Sequence, residues 1–410
     1  MRKVELLAPA GNLEKLKMAI EYGADAVYIG GEEYGLRASA DNFNLEEMKD
    51  GIEYTHSKGK KIYLTMNIIP HNEDLSEMPA YVESVSKLGI DAIILSDPGV
   101  YSIVKECAPE MEIHLSTQAN NTNWRSARFW HEHGVRRIVL ARELSFSEIK
   151  EIREKTDKAL ELEIFIHGAM CISYSGRCLL SNYMANRDSN RGQCAHPCRW
   201  KYHLVEEKRP GEYMPVFENE RGTFIYNSKD LCLIEHIPDI IESGVYSLKI
   251  EGRMKSSYYV ATIVRAYRQA IDEYYNDPEK YIFNPKLLEE ISKASHREYT
   301  TGFYFNKPTG QDQIYHTSSY IREYDFVGLV TAYDKVTGMA TIEQRNRMYT
   351  GDEIEVVRPG GGYFVQNIKT MKNIEGEEIE VAPHPQMTVF MPMDQEVEEY
   401  TMLRRKGKNG

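Results

Sequence analysis

The chain has 410 residues, 42% of them hydrophobic, with a mean hydropathy of −0.51 and a net charge of −12. That length accommodates a barrel of about 250 residues plus added modules, and no apolar run approaches the ~20 residues a membrane-spanning helix needs. The acidic balance argues against a general nucleic-acid-coating protein while leaving room for a local basic groove.

The opening, MRKVELLAPAGNLEKL, lacks the apolar stretch and cleavage site of a signal peptide, so a cytoplasmic protein without membrane partners is expected. It begins with a strand near Glu5. A helix follows, with Asn12 as N-cap and Leu13, Leu16 and Ile20 on one face. A weak repeat then recurs, in which a helix ends in Gly and a short aliphatic strand follows. It is seen at Gly23 (GADAVYIG), Gly89 (GIDAIILS), Gly134 (GVRRIVLA) and Gly244 (GVYSLKIE). The Gly suits a left-handed helix terminus, and the run after it suits a strand buried on both faces. KKIYLTMN, EIHLSTQ and LEIFIHGAMC supply further strands. Predicted strands centre near Glu5, Val27, Tyr63, Ile94, His114, Val139, Phe165 and Leu248. Eight alternating β and α units indicate an α/β fold of the (β/α)8, TIM-like barrel type. A doubly wound open sheet is the alternative; it usually has fewer strands, and no Rossmann-type glycine loop follows the first one.

The connection after the seventh strand is far longer than a crossover helix requires. It holds hairpin-like segments (KYHLVEE, EYMPVFE, GTFIYN) and a helix around 231–243. The barrel is thus assigned to 1–285, with a cysteine-rich insertion at 168–243. A linker with a helical segment spans 286–320. Short strands joined by Gly-, Asp- and Asn-containing turns then predict a small C-terminal antiparallel β-barrel domain at 321–403. Arg136 with Arg137, Arg345 with Arg347, and the tail Arg404, Arg405, Lys406 and Lys408 form basic patches; the ordinary reading of each is a solvated face.

Five of the six cysteines fall in the insertion: Cys171, Cys178, Cys194, Cys198 and Cys232. In a reducing compartment such clustering argues for a metal or redox site. Thiolates suit zinc or an iron-sulfur cluster equally, and the spacing matches neither a zinc ribbon nor a ferredoxin run. In a barrel, reactive groups gather where strands run into the following loops. Asn67, Gln118, Asn120, Glu143, His167, Glu251 and Arg253 occupy such positions. His167 and the Glu251–Arg253 pair stand beside glycines that allow close ligand approach, which makes His167, Glu251 and Arg253 the catalytic candidates. Arg37, Arg177, Arg191 and Arg253 are suited to clamping carboxylates or phosphates. No G-x-S-x-G or H-E-x-x-H motif supports a hydrolase, and the HEH at 131–133 lacks helical ligand spacing.

At the seventh strand the chain reads EIFIHGAMCISYSGRCLLS from Glu163 to Ser181. This resembles the signature of the peptidase U32 (collagenase-like protease) family, E-x-F-x2-G-[SA]-[LIVM]-C-x4-G-x-C-x-[LIVM]-S, at every fixed position. LLAPAG, RGQCAHPCRW, NSKDLC and KIEGRMKS extend the resemblance through barrel and insertion. The peptidase name comes without defined catalytic residues. The resemblance implies oxygen-independent hydroxylation that uses a 4Fe-4S cluster and prephenate as co-substrate. With its C-terminal β-domain, the chain is most similar to the branch that forms 5-hydroxyuridine at the tRNA wobble position, so tRNA is the expected partner, along with a homologous subunit of the same family. The alternatives are a U32-type peptidase and hydroxylation of a ubiquinone-type precursor. Related quinone hydroxylation proteins imply Cys171, Cys178, Cys194 and Cys232 as cluster ligands, with Cys198 the rival for the fourth place. By their positions, Arg37, Asn67, Gln118, Tyr174 and Arg177 are the expected substrate-binding residues, Tyr174 by stacking on the base. The small β-domain and the basic tail are expected to position the tRNA backbone.

Overall fold

A computed structural model describes residues 3–35, 42–171, 173–202, 204–205, 213–214, 223–224, 229–306 and 320–407. Its first seven strands are β1 Glu5–Pro9, β2 Ala26–Gly30, β3 Lys61–Met66, β4 Ala92–Leu95, β5 Glu112–Leu115, β6 Arg137–Val139 and β7 Glu161–Ala169. β8 (Asp230–Cys232) belongs to the insertion, and β9 (Ser247–Ile250) follows it. β1 to β7 and β9 pair in parallel, each with the next. β9 pairs with both β7 and β1, which closes the barrel as expected. Each of the eight predicted strand centres falls inside one of these strands.

Helices α1 (Leu13–Glu21), α2 (Leu45–Ser57), α3 (Met78–Lys87), α4 (Pro98–Cys107), α5 (Trp124–Glu132) and α6 (Phe146–Glu154) connect the first seven strands. Local chemistry sets their starts. The Asn12 side chain accepts the Lys15 N–H, and Asn44–Glu47 and Ser145–Glu148 form reciprocal capping boxes. α7 (Leu180–Ala185) and α8 (Ile237–Glu242) lie in the insertion, and α9 (Ser257–Asn276) follows β9.

The barrel interior is layered. Leu7, Ala26, Tyr28, Tyr63, Ala92 and Ile94 form a small apolar cluster. At the N-terminal end of the strands lies an ionic plug. Arg137, 1% exposed, contacts Glu5 at 2.6 Å, Glu161 at 2.9 Å and Glu163 at 3.2 Å. Lys249 contacts Glu163 at 2.8 Å. Burial works to raise the Glu163 carboxyl, but Lys249 and Arg137 outweigh it and hold its pKa down to about 2. Arg137 is therefore no surface charge, contrary to the expectation for that patch.

In the remaining basic patches Arg345, Arg404 and Arg405 are likewise engaged, Arg347 and Lys406 are exposed, and Lys408 lies outside the described residues. After α10 (Lys286–Ser292) the chain enters an antiparallel sheet in which eight strands are ordered Tyr363–Asn367, Glu353–Val357, Met402–Lys406, Tyr324–Asp334, Met339–Gln344, Thr388–Pro392, Met371–Lys372 and Glu378–Ile379. Arg404 is fully buried, 2.8 Å from Glu290 on α10 and 2.7 Å from Glu355. Arg405 pairs with Asp352, and Arg345 with Glu14 at 2.7 Å. Arg404, expected to contact RNA, thus closes a seam that ties the sheet to α10, while Arg405 is spent on acids of the sheet domain itself. The hydroxyl of Tyr22, the residue capping the C-terminus of α1, joins the same seam, donating to Val357 O at 2.8 Å and accepting from Met402 N–H at 3.3 Å. Among the described residues no helix is long and apolar enough to cross a membrane.

Candidate active site

A cavity of about 270 Å³ opens at the C-terminal ends of the strands. Its floor is the barrel interior: Tyr28, Ile94, Val139, Phe165 and Lys249. Strand ends and the loops after them form the wall, including Thr65, Asn67, Ser116, Gln118, Arg142, Glu251, Arg253 and Lys255. The insertion supplies the roof, with Cys171, Cys178, Cys194 and Cys198 all bordering the space.

The wall is cationic. Arg142 donates to Ala169 O at 3.1 Å and lies 5.4 Å from the Phe165 ring centroid. Arg253, 4% exposed, donates to Thr65 Oγ1 at 3.3 Å. Its guanidinium occupies the space that a β-carbon at Gly30 would need. Lys255 lies 4.1 Å above the Tyr320 ring, and Lys249 lies 4.4 Å above Tyr28. One carboxylate, Glu251, borders the same space. Sequence reasoning missed Arg142, Lys249, Lys255 and Tyr320. Arg142 and Lys255 did follow predicted strand ends and were recoverable from position alone.

The predicted residues sort clearly. Asn67, Gln118, Tyr174, Glu251 and Arg253 line the cavity. Asn67 Nδ2 donates to Ser116 Oγ at 3.3 Å. Arg177 is exposed and does not line the cavity. Arg37 lies outside the described residues. His167 is displaced from a catalytic position. β7 carries a bulge opposite Lys249/Ile250, so the inward alternation of Glu163 and Phe165 is broken before His167. The ring packs instead against Tyr259, Tyr267 and Tyr299, and burial pushes its pKa down to about 3. Gly168, with φ +114°, admits Glu251 rather than a ligand: a β-carbon there would lie 2.6 Å from Glu251 O.

The roof is tied to the wall by short bonds. Asn120, left-handed at φ 52°, donates from Nδ2 to Gln118 O and to Ser175 O, each at 2.9 Å. Ser189 Oγ donates to Cys178 O at 2.7 Å, and Ser181 Oγ accepts from Ala195 N–H at 2.9 Å. His196 N–H donates to Cys194 Sγ at 3.4 Å. Cys232 stands apart. It does not line the cavity. Its sulfur lies 3.9 Å from the Tyr267 hydroxyl, and burial pushes its thiol up to about 12. Among the described residues no three His, Cys, Asp or Glu side chains are gathered closely enough to hold a metal ion. Four thiols nonetheless border one space, and thiolates are donors that iron-sulfur clusters and zinc both accept.

Two family models cover the chain: peptidase family U32 over residues 11–314, and the peptidase family U32 C-terminal domain over 322–404. The chain belongs to peptidase family U32. Full-length relatives in the family carry two kinds of name. The chain is 47% identical over 407 residues to tRNA hydroxylation protein P1 of Bacillus subtilis, covering 99% of this chain and 96% of that protein. It is 40% identical over 446 residues to tRNA hydroxylation protein P of Escherichia coli, covering 99% and 97%. It is 32% identical over 415 residues to a collagenase of Porphyromonas gingivalis, covering 98% of each.

Proposed function

We propose that this chain hydroxylates a tRNA uridine at C5, using a 4Fe-4S cluster and prephenate. The observation that carries the reading is the meeting of four cysteines with a cationic wall at the mouth of a closed barrel. The names of the full-length relatives support tRNA as the substrate. Cys171, Cys178 and Cys194 would hold the cluster, with Cys198 as the fourth ligand in place of Cys232, because Cys198 faces the same space and Cys232 does not. A bound cluster supplies one-electron redox chemistry at the roof. Arg142, Arg253 and Lys255 suit the two carboxylates of prephenate, since guanidinium and ammonium groups in a partly dry cavity bind anions strongly. Tyr174, 47% exposed at the rim, offers a ring on which the extruded base stacks.

A peptidase reading has less support in the geometry. Among the described residues no serine or threonine hydroxyl of the cavity is hydrogen-bonded to a histidine, as an activated nucleophile requires.

The deciding experiment is tRNA nucleoside mass spectrometry in a strain lacking this gene and any second U32 member. Loss of 5-hydroxyuridine and its derivatives, restored by the wild-type chain but not by Cys178→Ala, is expected. An unchanged nucleoside profile would overturn the reading.

A further inference from the structure

The insertion turns one side to the cavity and the other to solvent, and the solvent side is unusual. Tyr183 on α7 is 88% exposed, Leu179 68%, and Met184 and Trp200 42% each. Single exposed apolar side chains are ordinary, but a group within one short segment marks an interaction surface. The group is continuous with the active-site cavity. Tyr174 belongs to both, and α7 packs on the turn at Pro197–Arg199, whose Pro197 and Cys198 line the cavity.

Charge identifies the partner. Between Tyr174 and Trp200 the chain has Arg177, Arg187, Arg191 and Arg199 but a single acid, Asp188, in a protein of net charge −12. The Asp188 carboxylate is occupied locally, accepting the Asn190 N–H at 2.9 Å. Arg177 and Arg187 are exposed, and neither guanidinium has an ion-pair partner among the described residues. Arg137, Arg345 and Arg404 of the clusters on barrel and sheet, by contrast, are consumed in internal pairs. A second copy of the chain would suit the apolar side chains, but a two-fold contact would set these arginines against themselves. Aromatic rings interleaved with arginines fit single-stranded nucleic acid, whose bases stack and whose phosphates pair.

We infer that this face is the docking surface for the single-stranded RNA flanking the target base, with bases stacked on Tyr183 and Trp200 and phosphates at Arg177 and Arg187. The inference rests on the tRNA reading above and extends it from the cavity to the rim. The cavity has room for a base but not for a loop, so flanking nucleotides must cross the surrounding surface.

The test is the affinity of anaerobically purified full-length protein for a transcribed tRNA, measured by fluorescence anisotropy across a salt series. Tyr183→Ala and Trp200→Ala should each weaken binding between about fivefold and a hundredfold, the range expected for one lost stacking partner. Arg187→Ala should lower the slope of log affinity against log salt by about 1. Phe129→Ala, 52% exposed on α5, should leave binding unchanged. The melting temperatures of Tyr183→Ala and Arg187→Ala should match wild type, since both side chains face solvent. If wild type binds no tRNA, the functional reading itself fails. If wild type binds and both aromatic variants bind equally well, the rim inference fails alone. Loss of self-association by light scattering, with RNA affinity intact, would reassign the face to a protein partner and overturn the inference.

Discussion

Gly176 of the insertion lies directly against Gln118 of the barrel: a β-carbon at Gly176 would stand 2.5 Å from Gln118 Oε1. That oxygen is buried without a hydrogen-bond partner, and Gly176 has φ +72°. Gly176→Ala therefore both crowds the contact and strains the backbone, at a cost of about 1–3 kcal/mol. The expected result is a lowered melting temperature and lower iron content. Gln118→Ala should relieve part of the loss when combined with it, because the two sites share one contact. Additive losses would show that the two residues do not meet.

Iron and sulfide analysis after anaerobic purification should separate the two rival cysteines. Cys198→Ala is expected to lose most bound iron, along with the visible absorption of the cluster. Cys232→Ala should keep its iron and lose only about 1 kcal/mol of stability, as a small buried side chain behind β7. The reverse pattern would restore Cys232 as a ligand. Colourless wild-type protein, still free of iron after reconstitution, would sink the redox mechanism.

Arg137→Ala leaves Glu5, Glu161 and Glu163 buried without their shared cation. Removing one partner of a buried ionic group costs about 3–5 kcal/mol. Urea denaturation should show a loss of that size. A change below about 1 kcal/mol would mean that water or Lys249 already balances the plug.

Acid should weaken the fold first through histidine. His167 and His114 are both buried, and burial lowers both pKa values, that of His167 from 6.5 to about 3. Below pH 6.5 the unfolded chain takes up protons that the folded chain refuses, so stability falls as pH drops from 6.5 toward 3. His167 contributes about 1.4 kcal/mol per pH unit in that window, and His114 acts in the same direction. Glu163 acts lower, between 4.5 and about 2, where its stabilising charge is lost. His167→Phe should flatten the pH dependence of melting between pH 6 and 5. An unaltered slope would rule out His167 as a source.

The barrel was legible because its signals are local. A glycine-ended helix followed by a doubly buried aliphatic run, as at Gly89 and Gly134, needs no long-range information. The thiol cluster was legible as a cluster, but whether Cys198 or Cys232 joins the other three depends on where β8 lands. β8 pairs antiparallel with the end of β7 and so carries Cys232 behind the wall. His167 was misread because a one-residue bulge is silent in sequence yet reverses the facing of everything after it. The tail arginines were misread for a different reason. Their partners, Glu290 and Glu355 for Arg404 and Asp352 for Arg405, lie far away in the chain, and a lone basic run gives no sign of what will neutralise it.

The seam built from Tyr22, Arg404 and Glu290 changes what a domain deletion can mean. Cutting the chain before Tyr324 would leave the Tyr22 hydroxyl without Val357 and Met402, Glu290 without Arg404, and Glu14 without Arg345. A shortened enzyme that failed to modify tRNA would thus report a wounded barrel as readily as a missing handle. The roles of the sheet are better separated by charge reversal on its outer strands, which leaves the mortise intact.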